Sequence, residues 1–470
     1  MSTVKASSRD NTAASLTLRV VTSLSSLSDE LRRVLMNRAS DGDISARDVN
    51  VRDRTSDIIA DVQKRGDVAL HEMARDFDGV QLSSLEIPRV EWKQALRELD
   101  SDLRVALERS VANIRAVHSA FMPTSMETSP EPGITVGRRV DPLARVGVYA
   151  PGGRAAYPSS LFMGAIPARV AGVGEVIVCT PPSSSGKPSA VVLAAAELAN
   201  VDRVFAVGGA GAIAAMALGT ESIPRVDRIV GPGNAYVAEA KLQLVGSVAI
   251  DSPAGPSELL VLADDSANVE VLARELAAQA EHDPQAAVIA VIFGARADEL
   301  QQSLLSALEQ VVSAAPRADI IRASLAARGA ILTGESADEA IEFSNNWAAE
   351  HLLLSVAPAN QERVLARLRA AGTIFIGESS AVAFGDYMTG ANHVLPTGGL
   401  ARCYSGLSTM DFVRWTSWQR VTPEAAARLA GDVGVFADAE GLPAHALAAR
   451  SWEKANASAA VQRNSKSDER

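Results

Sequence analysis

The sequence predicts an α/β protein in which two parallel-sheet domains follow a helical lead-in. Three observations carry that reading. The chain has 470 residues, too many for one hydrophobic core. From about residue 144, short β-rich runs each lead through a Gly/Pro-rich turn into an Ala-rich helical stretch, the spacing of strand and crossover helix in a parallel sheet covered on both faces. A second series of the same texture begins near residue 257.

In chain order, residues 1 to about 15 and about 455 to 470 are polar and unpatterned and read as disordered ends. Between about 46 and 120, RGDVALHEMARDFDGV and VEWKQALRELDSDLRVALERSVANIRAVH place apolar residues at three- and four-residue spacing, which predicts helices. The first strand series is RVGVYAPGG, EVIVCTPP, DRVFAVGGAG and DRIVGPGN, and the second is SELLVLAD, AVIAVIFG, GAILTG, EHLLLSV and GTIFIGE. After about 380 the alternation stops in a long Gly-rich loop, FGDYMTGANHVLPTGGLARCYSG, whose length without regular structure points to function.

Composition excludes several classes of function. The 45 basic and 56 acidic residues give a net charge of -11 with no basic run, which argues against nucleic acid as a partner. Apolar runs such as AAVIAVIF are far shorter than the roughly 20 residues of a membrane span. With no apolar stretch near the N-terminus to serve as a signal, the cytoplasm is the expected compartment. Two cysteines are too few for a disulfide framework or a thiolate metal site, so any metal would be held by nitrogen and oxygen.

Chemistry collects in a few places. The run VEVLARELAAQAEHDP reads as a helix stopped by Pro284, and Gln279 and His282, three apart, share its last turn as half of a metal site. Of the six histidines, His71 and His118 lie in helical patterns and read as structural. The other four, His282, His351, His393 and His445, each have a carboxylate within seven residues. Glu350 and His351 form a candidate proton-handling pair, which can serve one pocket if it sits in the turn before the strand HLLLSV. Gly-rich turns at 151 to 153, 208 to 211 and 231 to 234 all follow first-series strands, where backbone N–H groups and helix N-termini receive phosphate. They point to nucleotide binding, although none is the G-x-G-x-x-G fingerprint.

Taken in order, VGVYAPGG, GPGNAYVAEAK, DSPAGPSELLVLAD, QAEHDP, AAEHL, GDYMTGANHVLPT and AEGLPAH resemble histidinol dehydrogenase, over about residues 46 to 450. The resemblance implies two Rossmann-like domains of the aldehyde-dehydrogenase kind. It implies zinc ligands at Gln279, His282, Asp386 and His445, the last given by the partner of a domain-swapped homodimer, and a catalytic pair at Glu350 and His351. Substrate contacts would fall on Ser257, His393 and Glu440 besides His351 and the metal ligands, and cofactor contacts on Tyr149 and Asn234. Gly211 stands where the family commonly carries a cofactor-contacting glutamine, and Ala349 replaces a usual proline, which should loosen the turn before Glu350.

The implied division is a disordered N-terminus (1–20), a helical lead-in packing on the second α/β domain (21–143), a first α/β domain on the cofactor side (144–251) and a second bearing the metal and catalytic residues (252–395). A C-terminal arm exchanged in the dimer (396–454) and a disordered tail (455–470) complete it. The implied activity is the zinc- and NAD-dependent oxidation of L-histidinol to L-histidine through histidinal. Alternatives are a dehydrogenase of the same family acting on another small alcohol, an aldehyde dehydrogenase using Cys179 or Cys403, and a metal-binding protein without catalysis.

Overall fold

The computed structural model describes residues 16–36, 47–152 and 156–453. The ends read as disordered, up to residue 15 and from 455, lie outside the described residues. Along the chain, β1 (Arg19–Val21) precedes a run of helices, and β2 (Met126–Thr128) and β3 (Ile134–Pro142) follow it. The first series forms β4 (Arg145–Tyr149), β5 (Glu175–Thr180), β6 (Arg203–Ala206) and β7 (Arg228–Val230), and the two-residue β8 (Ala249–Ile250), which the sequence did not announce, joins them. The second forms β9 (Glu258–Ala263), β10 (Ala287–Phe293), β11 (Ala330–Gly334), β12 (Ala349–Ser355) and β13 (Ala371–Ile376), and β14 (Val413–Val421) comes last.

The first series closes into a five-stranded sheet of order β6-β5-β4-β7-β8, parallel throughout. The second gives a six-stranded parallel sheet of order β1-β11-β10-β9-β12-β13. Every residue of β9, β10 and β12 is buried, as strands covered by helices on both faces must be. The edge strand β1 revises the expected disordered start: residues 16–20 are ordered, Leu16 and Leu18 lie in the core, and the Leu16 N–H donates to Glu309 at 2.9 Å. Three residues without a long apolar run carry no strand signal, and only pairing with β11 makes them one.

The lead-in differs from expectation in its neighbour. Val62, Ala69, Leu70 and Leu85 share a core with Ile213, Met216 and Val237, so the lead-in from residue 47 onward covers the five-stranded sheet, whereas Leu24, Leu27 and Leu35 at its start pack on the second sheet as expected. The reason lies in the helices Gly209–Leu218 and Ala235–Leu244, whose small apolar residues face outward as well as inward and need a second cover. Main-chain bonds from Ile87 N–H to Val204 and from Ala206 N–H to Leu85 also cap the open edge at β6. Nor is the lead-in wholly helical, since it ends in β2 and β3.

The chain divides into two compact units, Met1–Met122 with Leu143–Phe412, and Pro123–Pro142 with Val413–Arg470. Both parallel sheets belong to the first. The second unit is built on an antiparallel sheet of order β14-β3-β2, followed by the helix Pro423–Ala439 and a further helix at 443–453. There the Trp418 indole lies across Gly137, where any Cβ would collide with the ring. No helix among the described residues is long and apolar enough to cross a membrane.

Candidate active site

Two neighbouring strands hold the candidate catalytic pair. β9 and β12 pair in parallel with His351 opposite Leu259, so the first residues of both strands lie together at one end of the sheet. The Glu350–His351 pair sits inside β12 rather than in the turn before it, because the strand already begins at Ala349. Ala348, in the left-handed region at φ 53°, ends the preceding helix and turns the chain directly into the strand. Adjacent strand residues point to opposite faces, yet Glu350 Oε2 comes within 3.4 Å of His351 Nδ1. This is possible because β9 starts at Glu258, and the Glu350 side chain reaches round that end to accept the Glu258 N–H at 2.7 Å.

A relay of hydrogen bonds fixes the carboxylate further. The Gln279 amide donates to Ser257 Oγ at 2.7 Å, and the Ser257 hydroxyl donates to Glu350 Oε2 at 2.8 Å. His351 Nδ1 stands 3.0 Å from the Glu258 carbonyl, and the Phe375 ring backs the imidazole at 5.9 Å between centroids. Since a carbonyl only accepts, Nδ1 carries a proton in either charge state and Nε2 is the nitrogen that titrates. That atom is buried with no hydrogen-bond partner among the described residues, and Asp386 Oδ1 is 3.8 Å away. Burial pushes the imidazole pKa down, but the Glu350 charge and hydrogen bond, then Asp386, outweigh it and hold the pKa at about 9. Burial raises the Glu350 pKa, and the His351 charge with hydrogen bonds from His351, Glu258 and Ser257 brings it below the ordinary value.

The candidate metal ligands come from two helix ends. Asn268 caps the helix Val269–Ala280, which stops at Ala280 with Glu281 still in right-handed geometry, so Gln279 and His282 remain about one turn apart. Asp386 lies on the short helix Val382–Tyr387, and the Val382 N–H donates to Glu275 Oε2 at 3.0 Å, tying this helix to the one that bears Gln279. His393 Nδ1 lies 2.9 Å from the Asp386 carbonyl. Burial lowers the His393 pKa, although Asp386 pulls the other way.

The donor chemistry fits zinc. Gln279 commits its amide nitrogen to Ser257, which leaves its oxygen to ligate, alongside one imidazole and one carboxylate. Among the described residues no three His, Cys, Asp or Glu gather into a group that could hold a metal ion. Glu440, at the C-terminal end of the helix Pro423–Ala439, and His445, in helix 443–453, are exposed residues of the second unit.

The candidate cofactor residues line one cavity of about 680 Å3, a size ordinary for a small-molecule site, at the carboxyl ends of β4 and β7. Tyr149 forms its wall and accepts the Gly209 N–H at 3.0 Å, and burial pushes the phenol up to about 12. Asn234 caps the helix Ala235–Leu244 through its side-chain oxygen. At Gly211 a Cβ would lie 2.9 Å from Met73 Sδ, so the place beyond it is filled by an apolar side chain of the lead-in. Gly153 of the first turn lies outside the described residues. Cys179 is fully buried, and burial raises its thiol well above the ordinary value, which removes it as a nucleophile.

Sequence reasoning missed three groups. Glu258, buried at the head of β9, accepts N–H groups from Glu350 at 3.3 Å and from Gly398 at 2.8 Å. Asn113 and Asn392 pin the Gly-rich loop through Met388 and Met163, at 2.7 and 2.8 Å. A carboxylate opening an apolar strand was the one available signal.

Known proteins bear on this arrangement. The family model described as histidinol dehydrogenase matches residues 43–451. Histidinol dehydrogenase of Methanosarcina mazei is 45% identical over 399 residues, 84% of this chain and 90% of that protein. The Methanosarcina barkeri enzyme is 44% identical over 431 residues, 91% of this chain and 96% of its own. The crystal structure of histidinol dehydrogenase from Elizabethkingia anophelis superposes with a TM-score of 0.87 at 31% identity, covering 93% of this chain and 98% of that one. The strand end that holds Glu350 and His351 and the helix end that holds Gln279 thus sit in a chain that belongs to the histidinol dehydrogenase family.

Proposed function

We propose that this chain is a zinc- and NAD-dependent histidinol dehydrogenase, which carries L-histidinol through histidinal to L-histidine in the last steps of histidine biosynthesis. The observation that carries this reading is the connected set Gln279, Ser257, Glu350, His351 and Asp386, inside a chain of that family. Gln279, His282 and Asp386 would hold the metal, with His445 of the partner subunit as fourth ligand. Ser257, His393 and Glu440 would join them in contacting the substrate. Tyr149, Gly211 and Asn234 would line the nicotinamide cofactor's cavity. Residues 144–251 would then be the cofactor domain, 252–395 the metal and catalytic domain, and 396–454 the arm exchanged in a homodimer working in the cytoplasm.

The residues divide the chemistry between them. In the first half-reaction His351, through Nε2, accepts the hydroxyl proton while hydride leaves the carbinol carbon, giving the aldehyde. In the second, Glu350 takes a proton from water as its oxygen adds to the aldehyde carbon. His351, having passed its first proton to solvent, then accepts the remaining hydroxyl proton as hydride leaves, giving the carboxylate. When bound, zinc would orient the substrate's nitrogens and offset the Asp386 charge that helps hold a proton on His351, and NAD would receive the hydrides. Because Gln279 sets Ser257 and Ser257 sets Glu350, the metal side and the base are positioned by one relay. Holding reactants this way is worth on the order of 7 to 11 kcal/mol of barrier.

The test is purified protein with L-histidinol and NAD. Two NADH per histidinol are expected, lost on chelation and restored by zinc. Absence of NADH from L-histidinol, with turnover of another small alcohol, would replace histidinol as the substrate.

A further inference from the structure

Glu258 has no role in the chemistry just described, yet it is hydrogen-bonded to Glu350, which has one. It is 1% exposed, and burying a carboxylate costs several kcal/mol unless donors surround it. Its donors are main-chain N–H groups on two different pieces of the site. Oε2 accepts from Glu350, the first reacting residue of β12, at 3.3 Å, and Oε1 accepts from Gly398, five residues beyond His393 in the Gly-rich loop, at 2.8 Å. Its own main chain completes the arrangement, with the N–H given to Glu350 Oε2 at 2.7 Å and the carbonyl facing His351 Nδ1 at 3.0 Å. One residue therefore sets the carboxylate position of Glu350, the tautomer of His351 and the distance of the loop from both.

We infer that the Glu258 carboxylate is a positioning residue for the dehydrogenase reaction, clamping strand β12 and the Gly-rich loop in the spacing that catalysis needs. The inference rests on the proposed histidinol oxidation. An amide cannot replace the clamp, because its NH2 would face one of two N–H donors that need an acceptor. Aspartate keeps both acceptors on a shorter stem.

The experiment compares Glu258→Gln and Glu258→Asp with the native chain, as zinc-loaded protein with L-histidinol and NAD. For Glu258→Gln, kcat per zinc-loaded site is expected to fall about 10- to 100-fold while KM for L-histidinol stays within about threefold, the range a displacement near 1 Å produces. Glu258→Asp should recover part of the loss. Zinc content and thermal midpoint should stay near the native values in both. A kcat per loaded site equal to the native value would overturn the inference, as would a loss explained wholly by fewer folded, zinc-loaded molecules. Failure of both variants to fold would make Glu258 a folding residue and overturn it equally. Native protein inactive on L-histidinol would instead overturn the functional reading.

Discussion

His351 shows how much one main-chain atom can decide. The Glu258 carbonyl holds a proton on Nδ1 and turns the titrating Nε2 toward Asp386, so in the proposed reaction the base is aimed before any substrate arrives and acts once Nε2 has lost its proton. Glu350 is held by Ser257 and the Glu258 N–H, where the proposed reaction needs it for the step that uses water. Accordingly, His351→Asn should abolish both half-reactions, whereas Glu350→Gln should slow histidinal oxidation far more than histidinol oxidation; equal losses in single-turnover measurements would refute the division. A different histidine tests burial itself. His118 is buried in the helix Ser101–Ala120 with both ring nitrogens lacking hydrogen-bond partners, and burial lowers its pKa. The unfolded chain then binds the proton more readily, so the contribution to stability is whole above the unfolded pKa of about 6.5 and is lost progressively as pH falls from there through the lower folded pKa. Urea midpoints at pH 8 and pH 5.5 should show the native chain losing more stability on acidification than His118→Leu. The Glu350–His351 pair was legible because its members are neighbours in sequence; Glu258 was not, since a charge at a strand head looks solvated until its partners in β12 and the loop are known.

Between elements, the turn from β7 to the helix Ala235–Leu244 depends on a buried ion pair. Lys241 Nζ lies 2.6 Å from Asp251 Oδ1, and Asp251 Oδ2 accepts the Gly231 N–H at 2.7 Å. Burial raises the Asp251 pKa against the pull of Lys241. Gly231, at φ 115°, leaves no room for a Cβ against the Tyr149 carbonyl, so the turn that presents Asn234 is fixed from two sides. Lys241→Met would strand a buried carboxylate and should cost about 3 to 5 kcal/mol of stability. Calorimetric titration of the folded variant should also show weaker NAD binding, since Asn234 shares that turn; unchanged affinity would separate the turn from the cofactor. The strands themselves were legible as apolar runs bounded by glycine, whereas the partner of the lead-in helices was not. An amphipathic helix states that it has a buried face, not which sheet that face meets.

For the whole molecule, the second unit joins segments some 270 positions apart, with β3 and β14 paired from Val421 opposite Ile134 to Val413 opposite Pro142. No local pattern announces such a pairing. Phe436 and Leu447 are each 70% exposed on the two helices of this unit, which also carry or adjoin Glu440 and His445. Exposed apolar side chains of this size suit a subunit contact, the role proposed for the arm. If His445 serves the neighbouring subunit, mixing His445→Ala with Glu350→Gln should restore activity that neither variant shows alone. Subunit exchange without rescue, followed by mixed-dimer isolation, would show that each site is completed within one chain.

The sequence by itself determined the two series of parallel strands, the glycine turns at their ends and the family to which the motifs belong. These are local patterns, written in residues a few positions apart. Tertiary structure alone decided that residues 16–20 join a sheet, that the lead-in from residue 47 onward covers the first sheet, and that a buried glutamate at the head of β9 grips both β12 and the Gly-rich loop. Each of those depends on groups meeting through space, where a free-energy gain exists only once both partners are in place.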